Sequence, residues 1–338
     1  MRLRGKVKRL IKTKSAKKLS TDQRKQIKRY FKSNGLNHIS NQWHRFYSFC
    51  NGRFSVEYIP EELYYLEIEP SLNRQQFVEA LADKNLLETL FQNVKQPKSL
   101  IKNINGHYYS LGKLITEDEA VKVCETSFKM IIKPTLDTGG GKNVILFEYS
   151  NGTTDYKNFS IKELFDSYKK DFIIQKVVEQ HPRMAQLNAS SVNTFRVMSY
   201  LCGTKVEVLS IIVRMGREGS VIDNSTTGGL SCGVAKKGFL NAIGFQNITG
   251  NRFETTDSGL PFKKIELPFI DKIFSVVNSL HKKTPYFRLI SWDLAVDKMG
   301  EVVLIEYNIQ GQDINIHQLN NGPVLYPLLR EVKKRNVN

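Results

Sequence analysis

Apolar and polar positions change period several times along this chain, and each change marks an element. Between Gln23 and Phe31, the residues Ile27, Tyr30 and Phe31 fall at i, i+3 and i+4, one face of a helix. Asn41 to Tyr65 is dense in aromatic residues, Trp43, Phe46, Tyr47 and Tyr58 among them, and reads as a packed segment, not a linker. Phe77, Leu81, Leu86, Leu87, Leu90 and Phe91 predict a helix over Gln75 to Gln92. Asn105-Gly106 between two short apolar runs predicts a hairpin within Ser99 to Ser110.

The middle of the chain then alternates. Thr116 with Glu119 forms a capping box that opens a helix running to about Cys124. A strand over Phe128 to Lys133 leads into a glycine loop, Thr135 to Lys142, and a second strand over Asn143 to Tyr149. Ser160 with Glu163 caps a helix to Tyr168, and Phe172 to Val178 returns as a strand. From Asn193 onward strands dominate: Thr194 to Cys202, Lys205 to Met215, Leu289 to Val296 and Val302 to Asn308. Gly203 and Gly300 sit at the turns of two hairpins, and one helix is expected near Glu266 to His281. The pattern predicts an α+β chain built around antiparallel sheets.

Length and charge narrow this picture. A chain of 338 residues with 41% hydrophobic content can bury a large core in two lobes. No apolar run approaches the roughly 20 residues that a membrane-spanning helix needs, and the basic amino terminus lacks the apolar stretch of a secretory signal. A cytoplasmic protein is expected. Cys50, Cys124, Cys202 and Cys232 are too scattered for a zinc site or a disulfide framework, and are read as reduced core residues. Of the net charge of +17, about +13 lies between Met1 and Lys32, where Asp22 is the only acid. Such an arm attracts any polyanion, and its amphipathic helix can lie on a membrane or pack on the body.

Three groups of residues carry candidate chemistry. Lys133 ends a strand and is followed by Pro134 and the loop that holds Gly139, Gly140 and Gly141, a combination that suits phosphate. The loop has neither Walker nor dinucleotide-binding spacing, and a hairpin tip is the plain alternative. Asp293 on one strand, with Glu306 and Asn308 two apart on its hairpin partner, makes an all-oxygen set suited to Mg²⁺. Pairing of these acids with Arg or Lys is the alternative. Arg196, Arg214 and Arg217 lie on or beside apolar strands and need an anion, either a core carboxylate or a transferring phosphoryl group. Asp223-Asn224 with Gly228-Gly229 shapes either a substrate pocket or a turn.

In their order along the chain, these pieces resemble the ATP-grasp superfamily, and within it the sugar-transfer-associated branch of cell-surface polysaccharide synthesis. The resemblance spans roughly Asn41 to Leu329 and is sharpest in Ile132-Lys133-Pro134, Gln175 to Pro182, Ser191 to Arg196, Asp223-Asn224 with Gly228-Gly229, and Trp292-Asp293 through Asn308. It implies ATP and Mg²⁺ held between two α+β subdomains, here residues 71–180 and 181–338, behind a basic helical and aromatic-rich region, 1–70. The chain departs from the pattern in showing no Rossmann-like lobe ahead of the ATP-binding unit.

Carried over by position, Lys133 and, more loosely, Lys84 would contact phosphates, and Gly139, Gly140 and Gly141 would cover them. Gln175, Lys176 and Val178 would form the adenine hinge, with Glu179 near the ribose. Arg196 and Arg214 would act on the transferring group, and Asn193, Arg214, Asp223, Asn224, Gly228 and Gly229 would line the substrate site. Asp293, Glu306 and Asn308 would hold the metal. The implied reaction is carboxylate–amine ligation through an acyl-phosphate. It would join an amino acid or other amine to an acidic sugar, sugar nucleotide or lipid-linked glycan, for a polysaccharide or capsule. Peripheral contact with the inner membrane face through residues 1–32 goes with this reading, and nucleic acid does not. The competing readings are an ATP-grasp phosphotransferase acting on a sugar hydroxyl and a non-catalytic basic module that binds membrane or nucleic acid.

Overall fold

The computed structural model describes residues 2–136, 141–217, 219, 228–235 and 237–331. Three helices come first: α1 (Arg2–Thr13), α2 (Thr21–Ser33) and α3 (Gln42–Asn51). The Ser20 side chain and Gln23 form a reciprocal cap at the start of α2. Neither α1 nor α2 projects from the body. Val7 and Ile11 of α1 pack with Trp43, Phe46, Tyr47 and Leu319, and Ile27 and Phe31 of α2 pack with Ile59, Leu63, Tyr200 and Leu328. Of the two placements left open for the α2 face, the body has taken it.

The expected single helix over Gln75 to Gln92 is instead four short turns, Gln75–Phe77, Val78–Leu81, Lys84–Leu86 and Leu87–Leu90. Asp83 causes the central break, because its side chain accepts the Asn85 amide while the Lys84 amide is donated to Thr135 O at 3.2 Å.

The first sheet has the order β3-β2-β1-β7-β4-β5-β6, all antiparallel. Its strands are β1 (Ser99–Ile104), β2 (His107–Ser110), β3 (Lys113–Ile115), β4 (Lys129–Pro134), β5 (Ile145–Ser150), β6 (Thr153–Thr154) and β7 (Phe172–Lys176). The β1–β2 turn is Asn105-Gly106, both at positive φ, as a tight hairpin requires. Helices α4 (Glu117–Glu125) and α5 (Ile161–Tyr168) keep both predicted capping boxes. They cover one face through Met130, Ile132, Phe172 and Ile174. Strand alternation turns Lys133 and Gln175 to the other face.

The second sheet has the order β12-β11-β10-β9-β8-β13-β14, also antiparallel. Its strands are β8 (Thr194–Cys202), β9 (Lys205–Met215), β10 (Leu230–Val234), β11 (Leu240–Gln246), β12 (Arg252–Phe253), β13 (Leu289–Val296) and β14 (Val302–Asn308). One face carries Phe195, Val197, Val213, Trp292 and Leu294 and packs on α6 (Ile270–His281). The opposite face carries Arg196, Ser210, Arg214, Asp293, Glu306 and Asn308, which follows from the period of two and the strand registers. A last helix, α7 (Ile314–Asn321), packs on β9, β10 and β11 on that polar face.

Candidate active site

Asp293 on β13 lies directly between Arg196 on β8 and Glu306 on β14 in the strand register. Arg196 donates Nε and Nη2 to the two Asp293 oxygens at 2.8 and 2.6 Å, and Arg214 adds Nη1 at 3.3 Å. Burial alone would raise the Asp293 carboxyl, but Arg196 and Arg214 hold it below its ordinary value. The Asn308 amide nitrogen donates to Ser291 O at 3.2 Å and Asp293 Oδ2 at 3.4 Å.

Glu306 meets the turn Lys84–Leu86 that precedes the first sheet. Its Oε1 lies 3.1 Å from Lys84 Nζ. Lys133 is buried nearby, within the fields of Glu306, Lys84 and Asp293, and burial pushes its ammonium down to about 8. Lys84, Lys133, Arg196 and Arg214 therefore gather around Asp293 and Glu306 in a shielded place, with Asp313 also within the field of Arg196. Four cations so close together suit an anion.

Other predicted residues stand apart from this cluster. Gln175 is buried in β7, with its amide on Pro97 O at 3.4 Å and Ser99 Oγ at 3.3 Å. The Lys176 amide is donated to Lys98 O at 2.9 Å, so that backbone group already serves the sheet. Val178 and Glu179 line a cavity of about 240 Å³ with Lys176, Val303 and Lys298. Glu179 itself is largely exposed and pairs with Lys298 at 2.7 Å. Asn193 is wholly buried and bonds Gln180 Oε1, Met184 O and Asn188 O, so it fixes the loop before β8 and does not face a cleft. Gly141 and Gly228 adopt positive φ, and the Gly229 carbonyl accepts the Asn247 amide. Gly139, Gly140, Asp223 and Asn224 lie outside the described residues.

Sequence reasoning missed His317. It lies on the fully buried α7 within the fields of Arg196, Asp293 and Arg214. Its only sequence signal is a His within a polar run after a candidate metal strand.

Among the described residues, no three His, Cys, Asp or Glu side chains gather as a metal cluster. The set tested for Mg²⁺ is two carboxylates and one amide. All three present oxygen, and the recorded Asn308 bonds use its nitrogen, so the donor chemistry suits a hard cation.

Two α+β subdomains with cationic and acidic side chains meeting between their sheets define an ATP-grasp fold. The chain belongs to the sugar-transfer associated ATP-grasp family, whose model matches residues 65–334. No curated protein matches. Among solved structures, the chain is similar to a biotin carboxylase from Campylobacter jejuni, at 12% identity and TM-score 0.46, covering 75% of this chain and 46% of that one. It is also similar to the VanG D-Ala:D-Ser ligase from Enterococcus faecalis, at 12% and 0.45, covering 74% and 60%. An L-amino acid ligase from Bacillus licheniformis gives 14% and 0.41, covering 75% and 48%. The chain thus spans about half the length of these proteins, and likenesses so remote do not carry chemistry across.

Proposed function

We propose that this chain is an ATP- and Mg²⁺-dependent carboxylate–amine ligase that joins an amino acid or other amine to an acidic sugar or glycan precursor in surface polysaccharide synthesis. The observation that carries the reading is the gathering of Lys84, Lys133, Arg196 and Arg214 around Asp293 and Glu306, in a chain of this family. A triphosphate and its metal are the natural complement to such a cluster.

In this reading Asp293, Glu306 and Asn308 hold the magnesium, which when bound neutralises phosphate charge. Lys84 and Lys133 bind phosphate oxygens, and Arg196 and Arg214 leave Asp293 to stabilise the group in transfer. The substrate carboxylate attacks the γ-phosphorus and ADP departs. The amine then displaces phosphate from the acyl-phosphate, forming the amide bond and losing one proton. No side-chain nucleophile is needed. The buried setting of Lys133, Arg214 and Asp293 excludes the water that would otherwise hydrolyse the acyl-phosphate.

The test is an ADP-release screen over amino acids and acidic sugars, with products read by mass spectrometry. An amide product formed with stoichiometric ADP supports the ligase. A phosphorylated sugar in its place establishes the phosphotransferase, and ATP turnover with neither product removes both.

The outer surface of α1 and α2 supports a second role, peripheral contact with an anionic membrane face. Eleven Lys and Arg side chains from Lys6 to Lys32 are exposed there, against the exposed acid Asp22. No helix among the described residues is long and apolar enough to cross a membrane.

A further inference from the structure

Helix α7 is an unusual wall for a charged cleft, since Ile314 to Asn320 are all buried although four of those seven residues are polar. Most of its side-chain amide groups are matched. Asn320 Nδ2 donates to Ser231 Oγ at 2.7 Å, and Gln318 Nε2 donates to Tyr47 Oη at 3.0 Å and Ile59 O at 2.9 Å. Asn315 bridges Tyr47 and Glu61, and Glu61 in turn pairs with Lys6 of α1 at 2.8 Å. The helix sits hard against β10, where a Cβ on Gly233 would collide with Asn241 and with Asn321 at the end of α7.

His317 Nε2 and the Asn320 side-chain carbonyl oxygen are left out of this matching, and of the two His317 faces the arginines. Ser210 Oγ accepts from Asn321 Nδ2 at 2.8 Å and lies 2.9 Å from His317 Nδ1. Among the described residues Nδ1 is the acceptor in reach of the Ser210 hydroxyl proton, and the tautomer that uses it puts the ring's own proton on Nε2. That Nε2–H is buried and has no hydrogen-bond partner among the described residues. A buried donor without an acceptor is disfavoured unless something brings one. Burial, and next the repulsion of Arg196, push the imidazole down to about 3, so it stands neutral at ordinary pH. A neutral ring can sit among two guanidinium groups where an imidazolium would be repelled.

We propose that His317 is an oxyanion-binding residue: its Nε2–H, together with Arg196 and Arg214, takes an oxygen of the carboxylate or phosphoryl group that enters this cluster. Both arginines are folded onto Asp293. An anion that draws them away gives Nε2–H the acceptor it lacks. The two arginines supply charge, while the imidazole supplies direction without adding to their mutual repulsion. The inference rests on the reading of this face as the transfer site, although its test does not require turnover.

The test uses the full-length protein with 15N-labelled histidine. Long-range imidazole spectra are recorded while inorganic phosphate is titrated in one arm and acetate in the other, with MgATP affinity measured separately by calorimetry. The His317 signal is identified by its loss in His317→Asn, which keeps a group near the Nδ1 position but has none at Nε2, or by its loss in His317→Gln. The expected free-state signature is a neutral Nε2–H tautomer. Its Nε2 resonance should shift saturably with phosphate, with acetate or with both, and the responding arm names the anion. His317→Asn should bind that anion roughly tenfold more weakly or worse, while His317→Gln, which can present an amide near Nε2, should stay within a few-fold of wild type. An Nδ1–H tautomer, or an Nε2 resonance unmoved at saturation in both arms, overturns the proposal even if His317→Asn does not fold. Failure of MgATP to bind, with the anion response intact, would instead count against the ligase.

Discussion

Asp293 receives the Arg196 guanidinium through both of its carboxylate oxygens, at 2.8 and 2.6 Å, while its cross-strand neighbour Glu306 holds Lys84 at 3.1 Å. The acids expected to hold a metal and the cations expected to hold phosphate therefore neutralise each other before any ligand arrives. An incoming magnesium triphosphate trades these pairs for new ones, so the exchange need not strand a buried charge.

Asp293→Asn breaks this arrangement from the acid side and removes the carboxylate that Arg196 and Arg214 share. Removing one partner of such a buried pair costs on the order of 3–5 kcal/mol, though the Asn amide recovers part of it. A clear loss of stability in urea without nucleotide is expected, together with a fall in ADP release of about a hundredfold or more. Wild-type stability in the variant would show that the pair contributes nothing to the fold.

Lys133 gives a pH dependence with a definite sign. Burial holds its pKa near 8, well below that of a free lysine, so it is charged below that pH and loses its charge above it. Bound phosphate favours the charged form. ATP affinity, measured by calorimetry, should be level from about pH 6 to 7.5 and then weaken by up to about tenfold per pH unit. In Lys133→Met the affinity should be lower throughout, and this pH dependence should vanish. A wild-type profile that stays flat to pH 9.5 would remove Lys133 from the phosphate site.

Much of this fold is legible in the residue pattern, and the exceptions share a cause. Strands β8, β9, β13 and β14 keep their predicted bounds, because period-two apolar runs between glycine turns have few other solutions. Helix α7 is not legible: Ile-Asn-Ile-His-Gln-Leu-Asn-Asn has no apolar stripe, since Ile314 to Asn320 are all buried and its amides bond neighbouring elements in ways that sequence cannot reveal. Strand β10, Leu-Ser-Cys-Gly-Val, was lost for a similar reason, because Ser231 and Gly233 are there for contacts with α7. In the site, the pattern gave residue types and order. It left open whether Arg196 meets a carboxylate or a phosphate, because the answer depends on whether a ligand is present.

Glu69 offers a test of how the strand carrying Glu306 and Asn308 is anchored. It is buried, and its Oε1 accepts the Gly311 amide at 2.8 Å just beyond β14. Burial raises its carboxyl to about 7, against which the Gly311 amide works only in part. A raised folded-state pKa means that the group's contribution is full below about 4.5 and fades as pH rises through about 7. Glu69→Gln keeps an acceptor for Gly311 but cannot ionise. Its melting temperature should be close to wild type at pH 5 and several degrees higher at pH 8. An equal gap at both values would mean that Glu69 ionises freely in the folded protein.

The basic amino terminus has changed character between sequence and structure, and that changes what its deletion means. Val7, Ile11, Ile27 and Phe31 belong to the core, and Lys6 reaches Glu61, which Asn315 ties to α7. Removing residues 1–32 should therefore unfold or aggregate the protein and cannot report on membrane contact. Charge reversal on the outer face can, because Lys8, Lys12, Lys25 and Lys28 are exposed. With all four changed to Glu, melting should stay within a few degrees of wild type. Co-sedimentation with vesicles containing anionic lipid should fall severalfold or more, since each surface cation contributes about 1 kcal/mol near such a membrane. Equal sedimentation of wild type and the charge-reversed variant, or equal binding to neutral vesicles, would mean that the cations serve some partner other than a bilayer.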